Sequence, residues 1–118
     1  MRLTGLVEKG WGSETIWATN DNYCGKLLNF ESGSKFSMHF HSIKDETWYV
    51  LSGKFKVITI DTSNAKHITT ILTTGDVWHN PPLLPHQLIC MEKGCIIEVS
   101  TADSIADNYR IEPGDSQN

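Results

Sequence analysis

Positive charge is scarce in this chain. Ten lysines and arginines stand against fourteen acids in 118 residues, a net charge of -4, and the only arginines are Arg2 and Arg110. Nucleic-acid binding needs a basic face, so no nucleic-acid partner is expected. No apolar run approaches the roughly 18 residues that would span a bilayer, which removes the membrane as a partner. The N-terminal MRLTGLVEKGWGSE lacks the apolar core of a signal peptide, and a cytoplasmic location is the resulting expectation. Cysteine is sparse and odd in number. Cys24, Cys90 and Cys95 match no zinc or redox spacing and read as reduced thiols. Helical periodicity, low-complexity sequence and linkers are also missing. That leaves one β-rich domain over residues 1–118, with its core at about 11–101 and a flexible tail at 113–118.

What is present is a series of short β-prone runs between Gly, Asn, Asp and Pro. Nine strands are predicted: Glu14–Ala18, Cys24–Phe30, Lys35–His41, Glu46–Leu51, Lys54–Asp61, Lys66–Leu72, Asp76–Asn80, His86–Met91 and Cys95–Ser100. Turns are expected at Ser52-Gly53 and Lys93-Gly94, among others, and any helix is short and near Ala102–Asn108. Many short strands at this spacing make an all-β sandwich or barrel. Alternation puts Lys35, Ser37, His39 and His41 on one face and Phe36, Met38 and Phe40 on the other. The second face needs cover from a second layer or a partner subunit, and a homodimer is expected.

The stretch Gly33–Gly53, GSKFSMHFHSIKDETWYVLSG, carries the chemistry. His39 and His41 are two apart on a strand, so both imidazoles aim the same way. Glu46, beside Trp48 and Val50 by alternation, can bring a carboxylate from the next strand, while Thr47, Tyr49 and Leu51 face away. Neutral imidazoles with one carboxylate suit a divalent transition ion, whether Zn, Mn, Fe, Ni or Co, and leave coordination positions open.

The spacing Gly-x5-His-x-His-x4-Glu-x6-Gly resembles the first motif of the cupin superfamily. Gly75 to Cys90, GDVWHNPPLLPHQLIC, resembles the second, with Gly75, Asp76, Pro81 and His86 in place, Leu83 where that motif has glycine, and Cys90 where it has asparagine. The resemblance implies a single-domain jelly-roll β-barrel and a metal held by His39, His41, Glu46 and His86. Further segments are similar to the type II mannose-6-phosphate isomerase cupins: Lys9-Gly10-Trp11-Gly12-Ser13-Glu14, Glu46 to Gly53, Ile97-Glu98-Val99-Ser100 and Tyr109-Arg110-Ile111-Glu112.

That likeness implies aldose–ketose isomerisation of a sugar or sugar phosphate through a metal-stabilised enediolate. The family usually has arginine two residues before the metal glutamate, where this chain has Lys44. A lysine offers a point charge, not a two-pronged fork. Glu46, Lys44 and Tyr49 are the candidate catalytic groups, although alternation turns Tyr49 away from Glu46. Lys26, Lys35 and Lys44 are the candidate anion binders, and Trp48 and Trp78 the candidate walls for a sugar ring. Tyr23, Glu14 and His79 could also reach the mouth. The same site would suit an iron-dependent dioxygenase, a small-acid lyase or a cupin that binds a small molecule without turnover.

Overall fold

The computed structural model describes residues 5–117. Nine strands run in the order β1 (Leu6–Lys9), β2 (Gly12–Thr19), β3 (Tyr23–Phe30), β4 (Met38–Phe40), β5 (Glu46–Asp61), β6 (Lys66–Thr73), β7 (Val77–Asn80), β8 (His86–Thr101) and β9 (Tyr109–Glu112). Two short 3₁₀ turns, Ile105–Asp107 and Asp115–Gln117, are the only helical segments among the described residues. None is long and apolar enough to cross a membrane.

Two strands of sixteen residues, β5 and β8, organise everything else. Their outer halves, Glu46–Val50 and Ile96–Ser100, pair in one sheet that β7 flanks on one side and β3, β2 and β1 extend on the other. The inner halves, Phe55–Thr59 and His86–Cys90, pair in a second sheet flanked by β6 on one side and by β4 and then β9 on the other. All neighbours are antiparallel. Two sheets that share two bent strands make a jelly roll.

The sequence placed turns at Ser52-Gly53 and Lys93-Gly94. Both strands instead run through these points on register shifts between Val50 and Phe55. Gly53 has φ 90°, and a Cβ there would lie 2.7 Å from the Gly94 Cα and from the Glu92 carbonyl oxygen. The paired glycines let two backbones cross closely at the corner, which is the work of a bulge and not of a hairpin.

The core fills the space between the sheets. Trp48, Phe30, Phe55, Leu88, Ile96, Val50 and Val57 are almost fully buried. Trp11 closes one end, its ring stacked on Phe30 at 4.4 Å. Burying each such side chain contributes roughly 1.5–3 kcal/mol. Cys24, Cys90 and Cys95 are unpaired, and burial raises the pKa of all three thiols.

One expectation changes. The strand Lys35–His41 shrinks to Met38–Phe40, and a register shift between Met38 and His39 breaks its alternation. Phe36 therefore turns inward with His39, Met38 is buried, and Phe40 stacks on Tyr109 at 5.1 Å. The apolar face that called for a partner subunit does not exist there. Residues 114–117 fold back on the barrel. Asp115 accepts a hydrogen bond from the Lys35 amide at 2.7 Å, and Gly10 donates to Ser116 Oγ at 3.1 Å.

Candidate metal centre and its cavity

His39 and His86 lie side by side in the second sheet, on the adjacent strands β4 and β8, and Thr59 of β5 continues the same row. His41 follows at the end of β4. Each ring offers one nitrogen, and the three nitrogens lie within 4.8 Å of one another.

The Nδ1 atoms show which nitrogen is offered. His39 Nδ1 donates to the Ser37 carbonyl at 2.8 Å, His41 Nδ1 to the Asp107 carbonyl at 2.6 Å and His86 Nδ1 to the Leu84 carbonyl at 2.9 Å. A carbonyl only accepts, so Nδ1 carries the proton in each neutral ring and Nε2 the lone pair. Burial, joined by repulsion from His86, pushes the His39 pKa down to about 3. Burial likewise lowers His41. Both rings are therefore neutral near pH 7.

Glu46 meets this group from the other sheet. Its Oε1 lies 2.9 Å from His86 Nε2, and both residues are nearly inaccessible. With its proton on Nδ1, the His86 Nε2 is an acceptor facing an acceptor, and it is a buried atom with no hydrogen-bond partner. An orphaned lone pair against a carboxylate, beside two more lone pairs, fits a divalent cation.

Behind Glu46 lies a chain of alternating charge. Lys44 Nζ is 3.3 Å from Glu46 Oε2, 3.3 Å from Glu98 Oε2 and 3.2 Å from Asp103 Oδ1. Lys26 Nζ reaches Asp103 at 2.8 Å and Glu14 at 3.7 Å. Asn80 donates to Glu46 Oε1 at 3.2 Å, and Trp48 Nε1 donates to Glu98 Oε1 at 3.1 Å. Burial alone would lower the lysine pKa values. The surrounding carboxylates outweigh it and hold Lys44 firmly charged. Burial acts to raise the Glu46 pKa, and the Lys44 ammonium 3.3 Å away acts to lower it and favours the carboxylate. Glu98 goes the other way. Burial, and then the Glu46 charge, push its carboxyl up to about 7. A carboxyl of that affinity can carry a proton at neutral pH.

A cavity of about 480 Å³ opens onto this assembly, within the roughly 300–1,000 Å³ of small-molecule sites. His39, His41, Lys44, Glu46 and Lys26 line it. Other expected residues do not. Tyr49 is on the outer face, 44% exposed, because the strand alternates there without a break. Trp48 is buried in the core against His86. Trp78 packs on the same core and donates to Asn80. Neither indole faces the cavity, so they hold the site's floor and are not stacking walls. Lys35 is not in the lining either. Lys26 and Lys44 are in it, but their charges are matched by acids. His79 is tied to Asp45 on the outside at 2.5 Å, and Tyr23 is exposed on the outer sheet.

Four groups were not legible as site residues: Glu98, Asp103, Asp107 and Arg110. Glu98 did carry a signal, since it shares the inward phase of Ile96 two residues before it. Asp103 and Asp107 lie in an irregular segment where periodicity says nothing.

The family profile described as Cupin domain matches residues 26–100. The chain belongs to the cupin family. It is 28% identical over 94 residues to a mannose-1-phosphate guanylyltransferase from Salmonella muenchen, covering 75% of this chain and 20% of that protein. The chain thus spans a fifth of the length of this curated relative. Among solved structures, oxalate decarboxylase from Bacillus subtilis superposes with a TM-score of 0.75 at 22% identity, over 92% of this chain and 30% of that one. An RmlC-like cupin from Shewanella frigidimarina gives 0.74 at 22% identity, over 87% of both chains. KdgF from Halomonas gives 0.68 at 19% identity, over 80% and 81%. These likenesses establish a shared fold.

Proposed function

We propose that this cupin binds one divalent transition ion through His39, His41 and His86, with Glu46 as the fourth ligand, and acts there on a sugar or sugar phosphate as an isomerase. The observation that carries the metal is the orphaned Nε2 of His86, pressed against Glu46 while all three Nδ1 protons are committed to backbone carbonyls. A divalent ion in that position would supply Lewis-acid polarisation of a substrate carbonyl or hydroxyl. Around it, the backbone carbonyls orient the rings, Lys44 fixes the Glu46 carboxylate, and Glu98 offers a carboxyl that exchanges protons near neutrality. The likeness to a mannose-phosphate enzyme supports the sugar-phosphate class.

The test has two stages. Elemental analysis should find close to one equivalent of metal in the native chain and little in His39→Ala or His86→Ala. Equal content in all three would end the metal assignment. Incubation with mannose 6-phosphate in deuterated water should then place deuterium at C2 of the aldose and at C1 of the ketose product. Oxygen uptake without exchange would instead identify the dioxygenase chemistry that three histidines and a carboxylate also suit.

One observation favours a reading without turnover. Tyr49 points outward and Lys44 is matched by three carboxylates, so two of the three candidate catalytic groups have no free contact with a ligand. On that reading ligands raise the melting temperature and no product forms.

A further inference from the structure

The row of inward residues in the second sheet does not end at His39. His86 pairs with His39 across β8 and β4, and His39 pairs with Arg110 across β4 and β9. Directly opposed residues of antiparallel strands share a face, with strands about 4.8 Å apart. Arg110 thus stands one strand beyond His39, two beyond His86, and lines the same cavity.

Charge sets it apart. Four cations line the cavity: Lys9, Lys26, Lys44 and Arg110. Lys44 is held by Glu46, Glu98 and Asp103. Lys26 is held by Asp103 and Glu14, and Lys9 lies 4.0 Å from Glu14. Among the described residues Arg110 makes no ion pair, and it is exposed at the cavity's edge. It is also the chain's one arginine besides Arg2. Its guanidinium presents a planar fork that matches a carboxylate or a phosphate with two parallel hydrogen bonds.

We infer that Arg110 anchors the anionic terminus, carboxylate or phosphate, of the small molecule that enters this cavity, and so directs its other end to the three histidines. The inference rests on reading those histidines as the reactive end of the site. It moves anion recognition from the lysines near the first motif to the edge strand β9. Discrimination between charged and uncharged ligands then lies with a residue that touches neither Glu46 nor its network.

The experiment is calorimetric titration of the metal-loaded chain with mannose 6-phosphate, gluconate and uncharged mannose. At least one charged probe should bind more tightly than mannose, and the stronger one identifies the terminus. A charge-assisted hydrogen bond corresponds to a change on the order of 10- to 100-fold. Arg110→Ala should remove that advantage while retaining metal and leaving mannose binding unchanged. Arg110→Lys, which keeps the charge but not the fork, should recover part of it and no more. Equal affinity of the three probes in the native chain, or an undiminished advantage in a folded Arg110→Ala variant, would overturn the inference. Metal content reports separately on the site. If His86→Ala kept its metal, the metal reading would fall, and the comparison of probes in Arg110→Ala would still decide the anchor.

Discussion

At the scale of single residues, the departures from the family pattern are the instructive positions. Leu83 occupies the glycine position of the second motif, and its φ is 72°, in the left-handed region. Its amide donates to the His41 carbonyl at 2.7 Å, so the loop must hold that conformation to reach the metal strand. A left-handed side-chain residue costs roughly 1–2 kcal/mol, and glycine gives back part through the unfolded chain. Leu83 is 61% exposed, so little burial is lost. Leu83→Gly should therefore raise stability by about 0.5–1 kcal/mol, read as a higher urea midpoint at unchanged slope. Lys44 departs differently. An arginine's fork would suit one partner, whereas the compact ammonium is shared among three carboxylates. Lys44→Met leaves those acids facing one another in a dry site and should cost roughly 3–5 kcal/mol at pH 7. Without the cation their pKa values rise, so the deficit against the native chain should narrow as pH falls from 7 toward 5. A deficit that stayed constant over that range would show that Lys44 acts by packing and not by charge.

At the scale of elements, regular alternation was readable and interruptions were not. Every inward residue of β5 between Glu46 and Val50 follows from the two-residue period, including the outward turn of Tyr49. The short β4 does not, because the register shift before His39 brings Phe36 and His39 to the same side. The His-x-His spacing survived since it lies beyond that shift. The strands β1 and β9 were missed because Leu6–Lys9 and Tyr109–Glu112 are four residues each and exposed throughout, with no apolar face to announce them. The segment between β8 and β9 does hold the short helical turn expected near Ala102–Asn108, at Ile105–Asp107, but a carboxylate, and no hydrophobic period, fixes it in place. Asp107 accepts from the amides of Ser42 and Lys44 at 2.8 and 2.9 Å, from the Ile43 amide at 3.2 Å and from Ser42 Oγ at 2.7 Å. Its backbone carbonyl orients His41. Partial burial raises its pKa, but these donors prevail and bring it down to about 2. The folded state thus prefers the carboxylate. Its stabilisation is full above the ordinary pKa of 3.8 and is lost as pH falls through 2. Asp107→Ala should cost about 2 kcal/mol and weaken metal retention through His41. Asp107→Asn should flatten the acid limb of the stability curve between pH 4 and 2. An unchanged acid limb would mean that another group carries it.

At the scale of the whole molecule, the structure relocates the surface that could pair two copies. The outer face of the first sheet carries a row that crosses six strands: Val77, Tyr49, Ile97, Leu27, Thr15 and Leu6, each opposed to the next. None is charged. Val99 and Trp17 flank the row, with the Trp17 ring lying over Gly25, where a Cβ would meet it at 2.4 Å. Leu6, Trp17, Tyr49, Val77 and Val99 are between 44% and 63% exposed. Together with Leu51, such residues offer on the order of 500 Å² of apolar surface, at the upper end for a monomer and most of the roughly 800 Å² that each partner of a standard interface buries. An apolar row without charge can complement a copy of itself across a two-fold axis, which is the requirement of a symmetric interface. The cavity opens between the sheets, so pairing on this outer face leaves it accessible. Sedimentation at micromolar concentration should give a dimer for the native chain. Val99→Lys places a buried charge against its own symmetry mate and should shift the protein to monomer with its metal content intact. A native chain that sediments as a monomer, or a Val99→Lys variant that still pairs, would show that this face is not the interface.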